Sequence, residues 1–140
     1  MKNNISILPV FLFVLIACSN SENQEINKLN RIVGTWQLTE IGLGDGSSSS
    51  SGTVIENGYK YTFNENGTFS SNRFDQCSEG SYSVSSNHLI LDYNCKDFST
   101  GIENPPGTFI EIFAFSEGFM FLSPTYMNCD EGCYNKFKKI

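Results

Sequence analysis

Catalytic side chains are scarce in this 140-residue chain. It contains one histidine, and none of its many serines lies in a Gly-x-Ser-x-Gly sequence, so the usual nucleophile motif is missing. A phosphate-binding glycine loop is missing as well. The single His88 is next to the turn Ser86-Asn87, where we expect an exposed side chain. The sequence therefore predicts neither an enzyme nor a bound cofactor.

Basic residues are also few. Nine Lys and Arg residues against 15 Asp and Glu residues give a formal net charge of −6. Proteins bind nucleic acid mostly through Lys and Arg contacts to phosphates, so this balance argues against a nucleic-acid partner. It argues equally against electrostatic attraction to anionic lipid. We expect any contact with a membrane to come through a covalently attached lipid.

Long apolar stretches are confined to the beginning of the chain. Lys2 and the apolar stretch 5–16 have the features of a secretory signal peptide, and the stretch is too short to remain as a transmembrane helix. The sequence Leu15-Ile16-Ala17-Cys18 that follows resembles a bacterial lipobox. This resemblance implies cleavage before Cys18 and attachment of several acyl chains, such as palmitate, which together anchor a protein durably. An ordinary signal peptide with an incidental Cys18 is the alternative.

The anchor also predicts a location and a domain organisation. We expect a signal peptide at 1–17, a lipid-anchored tether at 18–30 and one β-domain at 31–140. The tether is polar at first and ends in about one helical turn, which would cover one end of the domain. The lipoprotein would reside in the cell envelope, with the outer membrane favoured over the inner, and with its domain in the periplasm or at the cell surface.

Four cysteines remain when Cys18 is set aside, namely Cys77, Cys95, Cys129 and Cys133. An even number in an exported protein predicts two disulfides, whereas a zinc site would need paired short motifs that these spacings do not form. We predict the pairs Cys77–Cys95 and Cys129–Cys133, with the crossed pairings left open. Asp130 and Glu131 supply too few oxygen atoms for calcium, so we predict no metal site.

The rest of the chain consists of short predicted strands separated by turn signals. In the first strand, 31–40, Trp36 and Leu38 alternate with polar residues, as in a half-buried strand. The serine-rich stretch 42–52 is expected to be a mobile loop. Seven further strands follow, at 59–63, 68–73, 80–84 and 89–93, on both sides of 116–118, and at 133–140.

Three turns fix the predicted registers. Three-residue loops at 65–67 and 116–118, each ending in glycine, and a two-residue loop at 86–87 would align apolar side chains across the hairpins. The predicted pairs are Phe63 with Phe69, Tyr61 with Ser71, Val84 with Leu89, Tyr82 with Leu91, Phe115 with Phe119, and Phe113 with Phe121.

Tight turns at one end and long loops at the other predict an all-β fold, an eight-stranded antiparallel up-and-down barrel that is closed at the tight-turn end and open at the other. A β-sandwich is the alternative.

Gly34-Thr35-Trp36 resembles the Gly-x-Trp signature of lipocalins. With the segment Cys-Asp-Glu-Gly-Cys before a basic final strand, residues 33–140 are similar to the lipocalin-like domain of Gram-negative bacterial lipoproteins. The resemblance implies that Gly34 and Trp36 close the barrel and that Lys138 or Lys139 packs across the indole ring. We assign this role to Lys138.

The predicted registers place an aromatic set on the inner face, with Arg73 and Glu111 towards the open end. We predict a ligand site formed by these two residues with Tyr59, Tyr61 and Tyr93, in which Arg73 holds the carboxylate of a small hydrophobic molecule. Glu111 could instead form an ion pair with Arg73.

The alternative function is an interaction module with a filled barrel, whose open-end loops contact another envelope protein. The aromatic and apolar positions expected inside are Tyr59, Tyr61, Phe63, Phe69, Tyr82, Leu89, Leu91, Tyr93, Phe113, Phe115, Phe119 and Phe121.

The anchor makes a direct prediction. Cys18→Ser should abolish incorporation of a labelled fatty acid and leave the precursor uncleaved, because acylation requires the Cys18 sulfur and the resemblance implies that the lipoprotein peptidase recognises the modified cysteine. Metabolic labelling followed by electrophoresis measures both effects. Equal labelling of wild type and variant would contradict the lipoprotein interpretation.

Overall fold

A computed structural model describes residues 27–42, 52–129 and 132–140. The predicted signal peptide, Cys18, most of the tether, the serine-rich loop, Asp130 and Glu131 lie outside the described residues. Within the described part, no helix is long and apolar enough to cross a membrane. The strands found there are β1 (Gly34–Gly42), β2 (Thr53–Val54), β3 (Lys60–Phe63), β4 (Thr68–Phe74), β5 (Cys77–Ser85), β6 (His88–Tyr93), β7 (Thr108–Ser116), β8 (Phe119–Pro124) and β9 (Tyr134–Lys139).

All strand pairs are antiparallel, and each strand from β3 to β8 pairs with the next one along the chain. β1 pairs with both β3 and β9, so the sheet closes on itself. The short β2 continues β3 along the same edge of β1, because Ile55 N donates to Thr39 O (2.9 Å) and Leu38 N to Tyr59 O (2.9 Å) between the two ladders. Because β2 and β3 together occupy one strand position beside β1, the nine strands form a closed eight-stranded barrel. This is the predicted fold, and it is not a β-sandwich.

Two of the three predicted hairpin registers are confirmed. Gly67 adopts φ 79°, the left-handed conformation that ends a three-residue loop, and it sets the β3–β4 pairing. The two-residue loop 86–87 sets the β5–β6 pairing. The observed pairs are those predicted: Phe63 with Phe69, Tyr61 with Ser71, Val84 with Leu89, and Tyr82 with Leu91.

The predicted β7–β8 register is wrong by one residue. Glu117 and Gly118 both have positive φ (52° and 82°), which is the geometry of a two-residue type I′ turn and not of a three-residue loop. Ser116 therefore pairs with Phe119. A slip of one residue turns every side chain of a strand to the other face. Inside the barrel, the predicted Phe119 and Phe121 are replaced by two buried residues, Met120 and Leu122.

The closed end is covered by a short helical segment. Residues 27–32 are helical, so the first strand begins at Gly34 and not at Arg31 as predicted. Ile32 is fully buried, and its carbonyl accepts a hydrogen bond from Trp36 Nε1 (2.6 Å). The Arg31 guanidinium lies 4.2 Å from the centre of the Phe115 ring. These contacts fix the segment across the end that carries the tight turns.

Trp36, Gly34 and a basic residue of β9 close this end together, but the basic residue is not the predicted Lys138. Trp36 pairs directly with Lys139, whereas Lys138 pairs with Gln37 and faces the opposite side. Lys139 Nζ lies 5.2 Å from the Trp36 ring, within the range of a cation–π contact. A Cβ atom at Gly34 would lie 2.6 Å from Lys139 Cε, so glycine provides the space that the lysine side chain crosses.

The open end is held by two disulfides and one buried carboxylate. The predicted pairs Cys77–Cys95 and Cys129–Cys133 are both present, with Cα–Cα distances of 5.7 and 5.5 Å. Glu103, in the long loop before β7, accepts hydrogen bonds from Thr100 N (2.8 Å) and Gly107 N (3.0 Å). Burial alone would raise the pKa of Glu103, but the hydrogen bonds outweigh burial and lower it well below its usual range. The loop therefore has a fixed shape above the barrel.

Gly34→Ala should destabilise the protein. Gly34 has φ 123°, a conformation that costs an L-residue about 1–3 kcal/mol, and the new methyl group would also push Lys139 away from Trp36. Because Trp36 is the only tryptophan, its fluorescence in a denaturant titration reports both the loss of stability and the altered closed end. Gly101→Ala is the matched control, since Gly101 also has positive φ (82°) but an added Cβ would meet no described atom within 4 Å. Equal fluorescence changes in the two variants would contradict this role of Gly34.

Candidate ligand-binding site

Aromatic side chains occupy much of the barrel interior. Ring centroids of residues on different strands are 4.9 Å apart for Phe63 and Tyr82, 5.0 Å for Phe69 and Tyr93, and 5.7 Å for Tyr61 and Phe137. Such tilted and edge-to-face contacts stabilise an apolar core beyond the burial of area. The fully buried side chains of this core include Tyr61, Phe63, Phe69, Leu89, Leu91, Phe109, Met120, Leu122 and Phe137.

Arg73 enters this aromatic interior from β4, near the open end. The β4–β5 pairing is irregular between Ser70 and Phe74, and the Ser71 hydroxyl accepts a hydrogen bond from the Arg73 backbone N–H (3.0 Å). Ring centroids of Tyr59, Phe74 and Phe109 lie 5.5, 4.9 and 5.2 Å from Arg73 Cζ. The guanidinium group is therefore enclosed by rings, and its side chain is only 16% exposed.

The polar partners of Arg73 come from three other parts of the chain. Nη1 donates to the Tyr61 hydroxyl (3.1 Å), and Nη2 donates to the Tyr126 hydroxyl (3.2 Å). Glu111 Oε1 forms an ion pair with Nη1 at 3.7 Å. The structure thus brings together Arg73 and Glu111, as the sequence analysis allowed, and fills both ends of the guanidinium with groups from the protein itself.

Glu111, on β7, is the most buried charged group of the site, with a side chain 1% exposed. Its Oε1 accepts a short hydrogen bond from the Tyr126 hydroxyl (2.6 Å), whereas its Oε2 is buried and has no hydrogen-bond partner among the described residues. Burial raises the pKa of Glu111, and the hydrogen bond from Tyr126 and the charge of Arg73 oppose this rise only in part. One oxygen of the Glu111 carboxylate, Oε2, therefore remains available to accept a hydrogen bond.

Tyr126 is a site residue that the sequence analysis missed. It lies in the loop after β8, where Thr125 N and Oγ1 both donate to Ile110 O (3.1 and 2.8 Å). Its ring packs edge-on against Phe109 at 5.1 Å. A loop tyrosine has no periodicity that would indicate its direction, so no sequence signal could have placed it inside the barrel mouth.

The three predicted tyrosines also converge here. Tyr59 and Tyr61 pack edge-to-face at 5.5 Å, and burial raises the pKa of both. Tyr93 is buried, and its hydroxyl forms no hydrogen bond of good geometry among the described residues, although Tyr61 and Ser71 are close enough to affect its pKa. Burial raises the pKa of Tyr93 as well. All three hydroxyls therefore stay protonated and able to donate at physiological pH.

The arrangement suits the binding of an organic molecule better than that of a metal. Within the described ranges, no group of three or more His, Cys, Asp or Glu residues could hold a metal ion. The mouth of the barrel instead combines aromatic rings with one guanidinium, one carboxylate and several hydroxyls, all from side chains that converge. This composition is typical of small-molecule sites, in which few polar groups orient a mainly apolar ligand.

Comparison with known proteins agrees with this architecture. The profile of the family described as Lipocalin-like domain matches residues 32–118, more than half of the chain. The chain belongs to this lipocalin-like family. Its members have a fold that is typically used for binding and not for catalysis.

Solved structures of two proteins are similar to this lipocalin-like chain. A lipocalin-like protein from Bacteroides uniformis is 19% identical with a TM-score of 0.52, and the match covers 79% of this chain and 99% of that one. An uncharacterized protein from Bacteroides eggerthii is 18% identical with a TM-score of 0.49, covering 76% and 98%. No functionally curated protein matches the chain. At these identities the first likeness supports the fold alone.

Arg73→Gln should destabilise the barrel by about 3–5 kcal/mol at neutral pH, the usual cost of leaving one buried charge without its partner. The folded-state pKa of Glu111 is already raised, and removal of Arg73 would raise it further. Stability from such a carboxyl is fully present below its unfolded pKa and is lost as the pH rises through the folded pKa. The deficit should therefore shrink as the pH falls to about 4.

Denaturant titrations of wild type and Arg73→Gln across this pH range measure the effect. The double variant Arg73→Gln/Glu111→Gln is the control, because it lacks the carboxylate and its own free energy of unfolding should not depend on this titration. A deficit of Arg73→Gln that is the same at neutral and acidic pH would contradict the ion pair.

Proposed function

We propose that this chain is a lipid-anchored, lipocalin-like protein of the cell envelope that binds a small, mainly apolar molecule at the open end of its barrel. The lipobox-like sequence before Cys18 supports the anchor. The family and the closed barrel support binding of a small molecule. The ligand would contact the aromatic rings around Arg73, with its polar end at the Arg73–Glu111 pair.

The observation that carries this proposal is the buried ion pair in an otherwise aromatic core. Removing two charges from water costs several kcal/mol for each ion, and well-packed apolar residues in their place are often neutral or stabilising. An unpartnered carboxylate oxygen adds to this cost. A barrel selected only for stability would not need Arg73 and Glu111 here. Groups that orient a ligand account for them better.

Packing limits how deep the ligand can go. Rings from β3, β4, β6 and β9 are in mutual contact below the ion pair, so the lower part of the lumen is occupied by the protein itself. The ligand would bind at the mouth, between Tyr59 on one side and the Tyr126 loop on the other. A short or flat molecule fits this position better than a long chain that lies along the barrel axis.

The dense aromatic packing favours a second candidate function. If the mouth is filled as well as the lower lumen, the protein would act as an interaction module whose disulfide-linked open-end loops contact another envelope protein. In that case the ion pair would serve only to fix the arrangement of the loops.

Titration with an environment-sensitive apolar dye distinguishes the two functions. The mature chain, residues 18–140, carrying Cys18→Ser should be used so that its own acyl chains do not compete. We expect a saturable fluorescence increase that Arg73→Met weakens at least severalfold, while Lys138→Met, on the outer surface, leaves it unchanged. Absence of saturable binding would reject the small-molecule function and favour the interaction module.

A further inference from the structure

We infer that the Arg73–Glu111 pair recognises a hydroxyl group of the ligand, and that the phenol of Tyr126 occupies the hydroxyl position in this structure. This inference rests on the proposed function and specifies the chemistry of the ligand.

The geometry around the Tyr126 oxygen defines what the site accepts. This oxygen donates a proton to Glu111 Oε1 at 2.6 Å and accepts one from Arg73 Nη2 at 3.2 Å. A group at this point must donate and accept at once, which a hydroxyl does through one atom. A carboxylate can only accept, and an ammonium group can only donate. The pair therefore selects a hydroxyl over either ion.

The charges of the site lead to the same ligand class. Arg73 and Glu111 together are neutral, so a neutral alcohol leaves the buried charge balanced. A carboxylate would place a second negative charge next to Glu111, which is 1% exposed and whose pKa is already raised by burial. The structure thus argues against the carboxylate clamp that the sequence suggested for Arg73, because Glu111 already fills that role.

Unused hydrogen-bonding capacity lies beside the same position. Glu111 Oε2 is buried without a hydrogen-bond partner in the described part of the chain. Buried polar atoms are nearly always partnered in folded proteins, and each exception needs an explanation. The single proton of a ligand hydroxyl would go to Oε1 in place of the Tyr126 proton, so Oε2 stays available to a further donor, which neither a carboxylate nor an ester provides.

Tyr126 is well placed to be displaced by such a ligand. It belongs to a loop, whereas Tyr61, the other phenol on Arg73, is fully buried on β3. Tyr126 also lines a surface depression of about 160 Å³ with Ile102, Asn104, Thr108, Ile110 and Thr125, so its outer side is not closely packed. An incoming hydroxyl would take over both hydrogen bonds as the phenol leaves.

The test compares three flat molecules, 2-naphthalenemethanol, 2-naphthoic acid and methyl 2-naphthoate, by calorimetric titration of the mature chain carrying Cys18→Ser. We expect the alcohol to bind about tenfold or more tightly than either of the others, as one hydrogen bond to a charged group implies. Tyr126→Phe removes the internal competitor but keeps the ring, so it should strengthen alcohol binding severalfold and leave ester binding unchanged. Glu111→Gln should reduce the preference for the alcohol.

Tyr134→Phe is the matched control, because the Tyr134 hydroxyl donates to a carboxylate oxygen of Glu40 (2.5 Å) outside the barrel mouth. It should change no ligand affinity. Tighter binding of the acid, equal binding of all three compounds, or no effect of Tyr126→Phe on the alcohol would overturn the hydroxyl site while the binding function stands. If none of the three compounds and no apolar dye binds, both proposals fail.

Discussion

The buried ion pair between Arg73 and Glu111 is the constraint on which the open half of this barrel depends. It joins β4 to β7 across the interior, and the loop residue Tyr126 completes it by hydrogen bonding to both partners. Aromatic rings enclose the guanidinium and shield its charge from water. The carboxylate of Glu111 balances that charge. The mouth of the barrel therefore has a fixed polar centre within an aromatic wall, and any ligand must replace contacts that the protein already makes.

The two ends of the barrel are built in opposite ways. At the closed end, the helical segment 27–32, Trp36 and Lys139 form a compact cover over tight turns, and Gly34 leaves the space that this cover needs. At the open end, longer loops are held by two disulfides and by the hydrogen bonds that converge on Glu103. Rigidity at one end and loop-borne side chains at the other are what a barrel needs to bind a molecule through a single entrance.

The sequence predicted the fold where local chemistry determines it. Gly67 requires a left-handed conformation, so the β3–β4 register and the inward direction of Tyr61 followed from it, and the tight turns identified the closed end. It failed where tertiary contacts decide. Glu117 adopts positive φ although it is not glycine, and the β7–β8 register moved by one residue. Lys138 and Lys139 are equivalent in sequence, and only the pairing with Trp36 separates them. Tyr126 lies in a loop without periodicity, so its role was visible only in three dimensions.

The most direct test of this account is the pKa of Glu111, measured from the ¹³C chemical shift of its carboxyl carbon as a function of pH. Arg73 and Tyr126 compensate the burial of this carboxylate only in part, so we expect a pKa above the ordinary value for glutamate. Saturation with 2-naphthalenemethanol should leave this pKa raised, because the alcohol hydroxyl replaces the Tyr126 hydrogen bond to Oε1 and Oε2 stays without a donor. A Glu111 carboxyl that titrates like an exposed glutamate would contradict the account.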